Sequence, residues 1–101
     1  MIARIWRGWT RSWDADAYAD LLRQKSMPQC RSAPGNLAAY LLRRGDGDRT
    51  EFAVLTLWES LDAVRGFAGE DIEQPVPSAA DETFLTGPPP AVTHYKAIEE
   101  P

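Results

Sequence analysis

The stretch Gly45-Asp46-Gly47-Asp48-Arg49-Thr50-Glu51-Phe52-Ala53-Val54-Leu55-Thr56-Leu57-Trp58-Glu59-Ser60 decides how the chain folds. Its first four residues are the strongest turn signal in the sequence, because glycine permits positive φ and aspartate can bond its own neighbouring backbone. The turn makes a hairpin of a second strand, Asn36 to Arg44, and a third, about Arg49 to Trp58. At Glu59-Ser60 the third strand ends, and Ser60 can cap a helix carrying Leu61, Val64, Phe67 and Ala68 on one side. Gly66 and Gly69 weaken the end of that helix.

Upstream, Ile2 to Thr10 alternates with period two and reads as the first strand. Asp14 stands as an N-cap before Ala17, Tyr18, Leu21 and Leu22, which predicts a first helix ending near Gln24. Pro28, Pro34 and small polar residues predict a loop over Lys25 to Gly35. Downstream, Pro75, Pro77 and Pro88 to Pro90 forbid a long helix. One further turn fits around Asp81 to Leu85, and Val92 to Glu99 alternates as the last strand. The order β-α-β-β-α-β is that of an α+β, ferredoxin-like sandwich with an antiparallel sheet and its helices on one face, one domain over residues 1–101. Phe52, Val54 and Trp58 point to one side of the third strand and Ala53, Leu55 and Leu57 to the other, while Leu37 and Leu41 oppose Tyr40 and Leu42 on the second. Both faces want cover, so the expected partner is a second copy packed sheet to sheet as a homodimer.

Composition narrows the function classes. The chain has 101 residues, of which 44% are apolar and 26% charged, and a net charge of −4, so disorder is excluded as the main state. Residues 1–50 carry a net +4 and residues 51–101 a net −8, which sets the two halves to attract. An acidic chain whose arginines are scattered is a poor nucleic-acid binder, and Glu51 to Trp58 lacks the basic-glycine-aromatic pattern of an RNA-recognition strand. No apolar run reaches the roughly 18 residues of a membrane span and no secretory pattern opens the chain, so the expected location is cytoplasmic, with no membrane partner. With Cys30 and His94 the sole cysteine and histidine, neither a disulfide nor a typical metal site is expected within one chain. Gly45-x-Gly47 joins strands and opens no helix, so it is no phosphate loop.

Phe52 to Ser60, Phe67-Ala68-Gly69-Glu70-Asp71-Ile72 and Val92-Thr93-His94-Tyr95 together resemble the antibiotic biosynthesis monooxygenase (ABM) domain superfamily, most specifically in Trp58-Glu59-Ser60. The resemblance implies a dimeric α+β barrel. It also implies an activity, since members include monooxygenases that oxidise aromatic polyketide-type phenols or quinols with molecular oxygen and neither flavin nor metal; others degrade haem. The family's strand-end tryptophan falls on Trp58. Haem-degrading members pair it with a histidine on the following helix and an asparagine on the first strand, where this chain has Val64 and Ala68 on the helix and no asparagine on the strand. Relatives of this length carry Tyr-Pro where this chain has Ser78-Ala79-Ala80.

Oxygenation without a cofactor needs a substrate that can itself give an electron to oxygen, held dry and as its phenolate or enolate. Trp58 and Trp6 or Trp9 can supply aromatic walls, but Trp6 and Trp9 point to opposite faces, so only one can line a given pocket. His94 is the candidate base, and Arg4 and Arg7 can hold an anion. The catalytic candidates are therefore His94 and Trp58, and the substrate-binding candidates Trp6, Arg4 and Trp58, with no cofactor. Plainer roles stand beside these: packing for Trp58, a structural or exposed place for His94, ion pairs with the acidic half for Arg4 and Arg7, and core or dimer contact for Tyr18 and Tyr40. Tyr95 lies on the face opposite His94, and Cys30 has no adjacent base that would make it a nucleophile. The function expected is a cofactor-independent monooxygenase acting on an aromatic or quinol-like molecule in a pocket between sheet and helices. Its alternatives are a non-catalytic dimeric binder of small hydrophobic ligands and a haem-binding protein.

Overall fold

Every second residue of the third strand is buried, and that alternation organises the molecule. The computed structural model describes residues 1–76 and 79–101. Its strands are β1 (Ile2–Arg11), β2 (Asn36–Asp46), β3 (Arg49–Trp58) and β4 (Ala91–Lys96), and its helices α1 (Ala15–Leu21), α2 (Met27–Ser32), α3 (Leu61–Ala68) and α4 (Ala79–Phe84). The strands form one antiparallel sheet in the order β2-β3-β1-β4, the ferredoxin-like α+β arrangement expected from the sequence. β1 lies between β3 and β4, with Arg4 opposite Thr56 on one side and His94 on the other.

Thr50, Phe52, Val54, Thr56 and Trp58 face the helices from β3, joined by Arg4, Trp6, Gly8 and Thr10 of β1. Two packed clusters share this face. Tyr18, Ala15, Ala19 and Leu22 sit on Phe52, and Met27 and Cys30 sit on Ala39 and Val54, with Trp6 and Leu41 touching both. The Tyr18 ring meets Phe52 edge-on at 5.2 Å and Phe84 at 5.7 Å. Gly8 makes room for this packing, since a Cβ there would lie 2.7 Å from Cη2 of Trp6. The β2–β3 hairpin turns on Gly47, whose φ of +63° suits the first position of a two-residue loop. Ser60 caps α3 as expected, its Oγ accepting the Ala63 N–H at 3.1 Å.

Three local expectations are corrected. Lys25 to Gly35 is mostly helix: after α1 a π turn (Leu22–Ser26) carries the chain directly into α2, with the Met27 N–H reaching back to the Leu22 carbonyl. The wide turn accommodates Pro28, which falls in the first turn of α2, where a missing N–H costs least. Asp14 makes no side-chain cap, because a 3-10 turn (Ser12–Asp14) leads into α1, and the buried face is Ala15, Tyr18, Ala19 and Leu22, with Ala17 exposed. β4 stops at Lys96, short of Glu99. Pro77 and Ser78, named in the sequence reading, lie outside the described residues.

The other face of the sheet carries Ile5, Ala53, Leu55, Leu57, Tyr40, Leu42 and Tyr95. Among the described residues no helix covers it, and Tyr40 and Tyr95 are 51% and 54% exposed. Among the described residues no helix is long and apolar enough to cross a membrane.

Candidate functional site

Between sheet and helices lies a cavity of about 280 Å³. Arg4 and Trp6 of β1 and Val54 and Thr56 of β3 form its floor. Its roof comes from Tyr18 and Leu22 on α1 and the π turn and from Cys30 on α2, while Phe67 and Asp81 stand at its sides. Exposed Lys25 and Gln29, with Ser26, mark where it opens to water. The π turn contributes Lys25 and Ser26 to this mouth, so the irregular helix is part of the site's architecture.

Arg4 is the polar centre. It is 4% exposed, and Nη1 donates to the Ile72 carbonyl at 2.6 Å and to Nε2 of His94 at 2.9 Å, while Nη2 donates to the Gln74 carbonyl at 3.4 Å. All three partners belong to the acidic second half of the chain, yet none is acidic. Among the described residues no ion pair includes Arg4, and no carboxylate lies within 4.0 Å of it. Burial lowers its pKa from the ordinary value, with Cys30 opposing the shift. A guanidinium stays charged even so, and a buried cation without a counter-ion is costly to keep.

His94 is held by the same contact. A guanidinium only donates, so Nε2 must be the acceptor and the ring proton sits on Nδ1. Burial and then the neighbouring Arg4 lower the His94 pKa, against a smaller opposing effect of Glu73. The imidazole is thus kept neutral, with one lone pair already engaged.

Trp58 is fully buried and is not on the cavity wall. Its ring lies 5.1 Å from that of Phe67, and its Nε1–H donates to Thr56 Oγ1 at 2.8 Å. The Thr56 hydroxyl in turn donates to the Arg4 carbonyl at 3.4 Å. Of the residues singled out from the sequence, Arg4 and Trp6 therefore meet in the cavity, while His94 and Trp58 stand one contact behind it. Trp9 and Arg7 lie on the opposite face of the sheet. Tyr18 turns out to be both core and cavity wall, whereas Tyr40 is on the outer face.

The sequence reading missed Thr56, Asp81 and the cavity place of Cys30. Thr56 had a signal: a hydroxyl in register with Phe52, Val54 and Trp58 is a polar group at a buried position. Tyr18 Oη donates to Asp81 Oδ1 at 3.0 Å, a contact across 63 residues that no local pattern announces. Burial raises the Tyr18 pKa, and Asp81 adds to the rise. Burial also raises the Cys30 pKa, partly offset by Arg4 and Arg31, so the thiol is protonated and unreactive.

Comparison with solved structures extends over almost the whole chain. A protein of unknown function from Nitrosomonas europaea, NE2512, superposes with a TM-score of 0.74 at 19% identity, covering 99% of this chain and 91% of its own. A structure described as an antibiotic biosynthesis monooxygenase gives 0.72 at 15% identity, covering 98% and 100%. A MhuD variant with two manganese protoporphyrin IX molecules per active site gives 0.61 at 19% identity, covering 99% and 97%. At such identities the likeness is one of fold. None of the curated proteins matches the sequence. The antibiotic biosynthesis monooxygenase profile, however, matches residues 1–72, from β1 through α3 and the turn that receives the Arg4 guanidinium. With that match over most of its length, the chain belongs to the antibiotic biosynthesis monooxygenase (ABM) family.

Proposed function

We propose that the protein is a cofactor-independent monooxygenase that binds an aromatic phenol or quinol as its anion, with the oxyanion on Arg4. The observation that carries this reading is the uncompensated buried guanidinium on the wall of an otherwise largely apolar cavity. Such a charge favours the deprotonated ligand, which is the form able to give an electron to oxygen. For an anthrone-type substrate the balanced reaction turns one ring methylene and one molecule of oxygen into one ring carbonyl and one molecule of water. The ring carbon loses four electrons, one oxygen atom becomes the new carbonyl, and the other leaves as water with both methylene hydrogens. The substrate supplies every electron.

Arg4 and Trp6 touch the ligand in this reading. His94 holds the guanidinium in place as a neutral acceptor, a part that fits its geometry better than that of base. Trp58 orients the Thr56 hydroxyl. The dimer belongs to the same proposal: the apolar outer face of the sheet is covered by a second copy, closing an α+β barrel. The haem alternative finds no support in the side chains, because His94, the sole histidine of the sequence, is turned onto Arg4.

Oxygen uptake with a panel of anthrone- and naphthol-like phenols tests the proposal. The wild type should exceed the buffer rate, and Arg4→Gln should lose about 100-fold or more in kcat/KM, the usual cost of an oxyanion donor. If no phenol reacts faster than in buffer while phenolates still bind, the protein is instead the non-catalytic small-ligand-binding dimer.

A further inference from the structure

The two ends of the cavity differ in hydrogen-bond sense. At one end the Arg4 guanidinium can only donate. At the other, the Tyr18 hydroxyl already donates its proton to Asp81 Oδ1, so Tyr18 Oη offers its lone pairs. Trp6 and Val54 lie between, as the apolar stretch of the floor. Tyr18 packs on Phe52, which pairs with Gly8, four residues along β1 from Arg4. At about 3.3 Å per residue the strand positions beneath the two groups are therefore roughly 13 Å apart.

We infer that the cavity selects elongated aromatic ligands carrying an anionic or acceptor group at one end and a hydrogen-bond donor, a hydroxyl above all, at the other. This rests on the reading of Arg4 as an anion site and adds the second anchor. A ligand with a methyl group or bare C–H at its far end leaves the buried lone pairs of Tyr18 unanswered. A hydroxylated one is held by both ends, as a quinol-type molecule would be when only its Arg4-side oxygen is ionised. The second anchor also keeps the far hydroxyl protonated, because losing its proton would place an anion beside Asp81.

The test uses redox-inert probes and titration calorimetry at pH 7.5 with 2-naphthoate, 6-methyl-2-naphthoate and 6-hydroxy-2-naphthoate. The hydroxyl compound should bind about tenfold more tightly than its methyl counterpart, the worth of one satisfied buried hydrogen bond. In Tyr18→Phe that ratio should fall to within about twofold. A second readout needs no variant: absorbance titration of bound 6-hydroxy-2-naphthoate should place its naphthol pKa above the free value. Equal binding of the hydroxyl and methyl probes, or a naphthol pKa unchanged or lowered on binding, overturns the second anchor while leaving the anion site standing. Binding of none of the three overturns the anion site itself, and this inference with it.

Discussion

Replacing Trp58 by phenylalanine isolates one hydrogen bond on which the cavity floor depends. The indole N–H lies 2.8 Å from Thr56 Oγ1, both side chains are buried, and the aromatic contact with Phe67 survives the change in part. The variant leaves a buried hydroxyl without its donor, at about 1–3 kcal/mol. The vacated half of the indole adds roughly 1 kcal/mol, at about 24 cal/mol for each Å³ that does not collapse. A loss of about 2–4 kcal/mol is therefore expected in urea unfolding at fixed protein concentration. Thr56→Val in the Trp58→Phe background should cost less than it does alone, because the orphaned acceptor has gone. The double-mutant cycle should return a coupling of about 1 kcal/mol. A single-variant loss below about 1 kcal/mol with additive effects would refute the assignment of Trp58 as the residue that sets the Thr56 hydroxyl.

Protonating His94 breaks its bond with Arg4, and because its folded pKa is lowered, stability should be full above the ordinary histidine value of 6.5 and decline as pH falls toward the depressed one. Urea midpoints measured from pH 8 to pH 5 should show this slope, and His94→Gln, which keeps an acceptor, should flatten it. Gly35→Ala drives a Cβ into that of Ala63 at a φ of +83°, so thermal unfolding should reveal a loss of about 2 kcal/mol or more, and an unchanged melting temperature would contradict the packing of α3 on this turn. Leu55→Glu, at the centre of the outer face, should convert a light-scattering mass of twice 11.3 kDa into that of one chain; a wild type already at 11.3 kDa would remove the dimer from the proposal. Cys30 should react with a disulfide reagent at least about tenfold more slowly in the native protein than in urea, and equal rates would mean that α2 does not stay closed.

Where the chain repeats a period, its sequence discloses the fold. Alternation in Ile2–Thr10 and Arg49–Trp58, the Gly47 turn and the Ser60 cap all act over a few residues, and all appear where those residues place them. The helix through Pro28 was hidden because proline argues locally for a break, whereas Met27 and Cys30 gain a buried place over Ala39 and Val54 only once the sheet exists. The site was legible only where it shared the strand alternation: Arg4 and Trp6 have the right parity, and both reach the cavity. Parity cannot tell that Trp58 ends behind Thr56 or that His94 spends a lone pair on Arg4, since those facts depend on which neighbour arrives first across the sheet. The Tyr18–Asp81 contact joins segments that have no common pattern at all.

The π turn lets the long helix carry one residue more than a uniform spiral with the same buried faces would hold. At 3.6 residues per turn, each residue added or removed rotates everything after it by about 100°. The i to i−5 turn takes up one such rotation, so shortening Leu22–Ser26 by a single position would restore a uniform spiral with Met27 and Cys30 still facing the sheet. Homologues that trim this corner can therefore keep the following helix as it is and lose a residue from the chamber's mouth alone, so the length of this corner is a guide to the shape of that mouth.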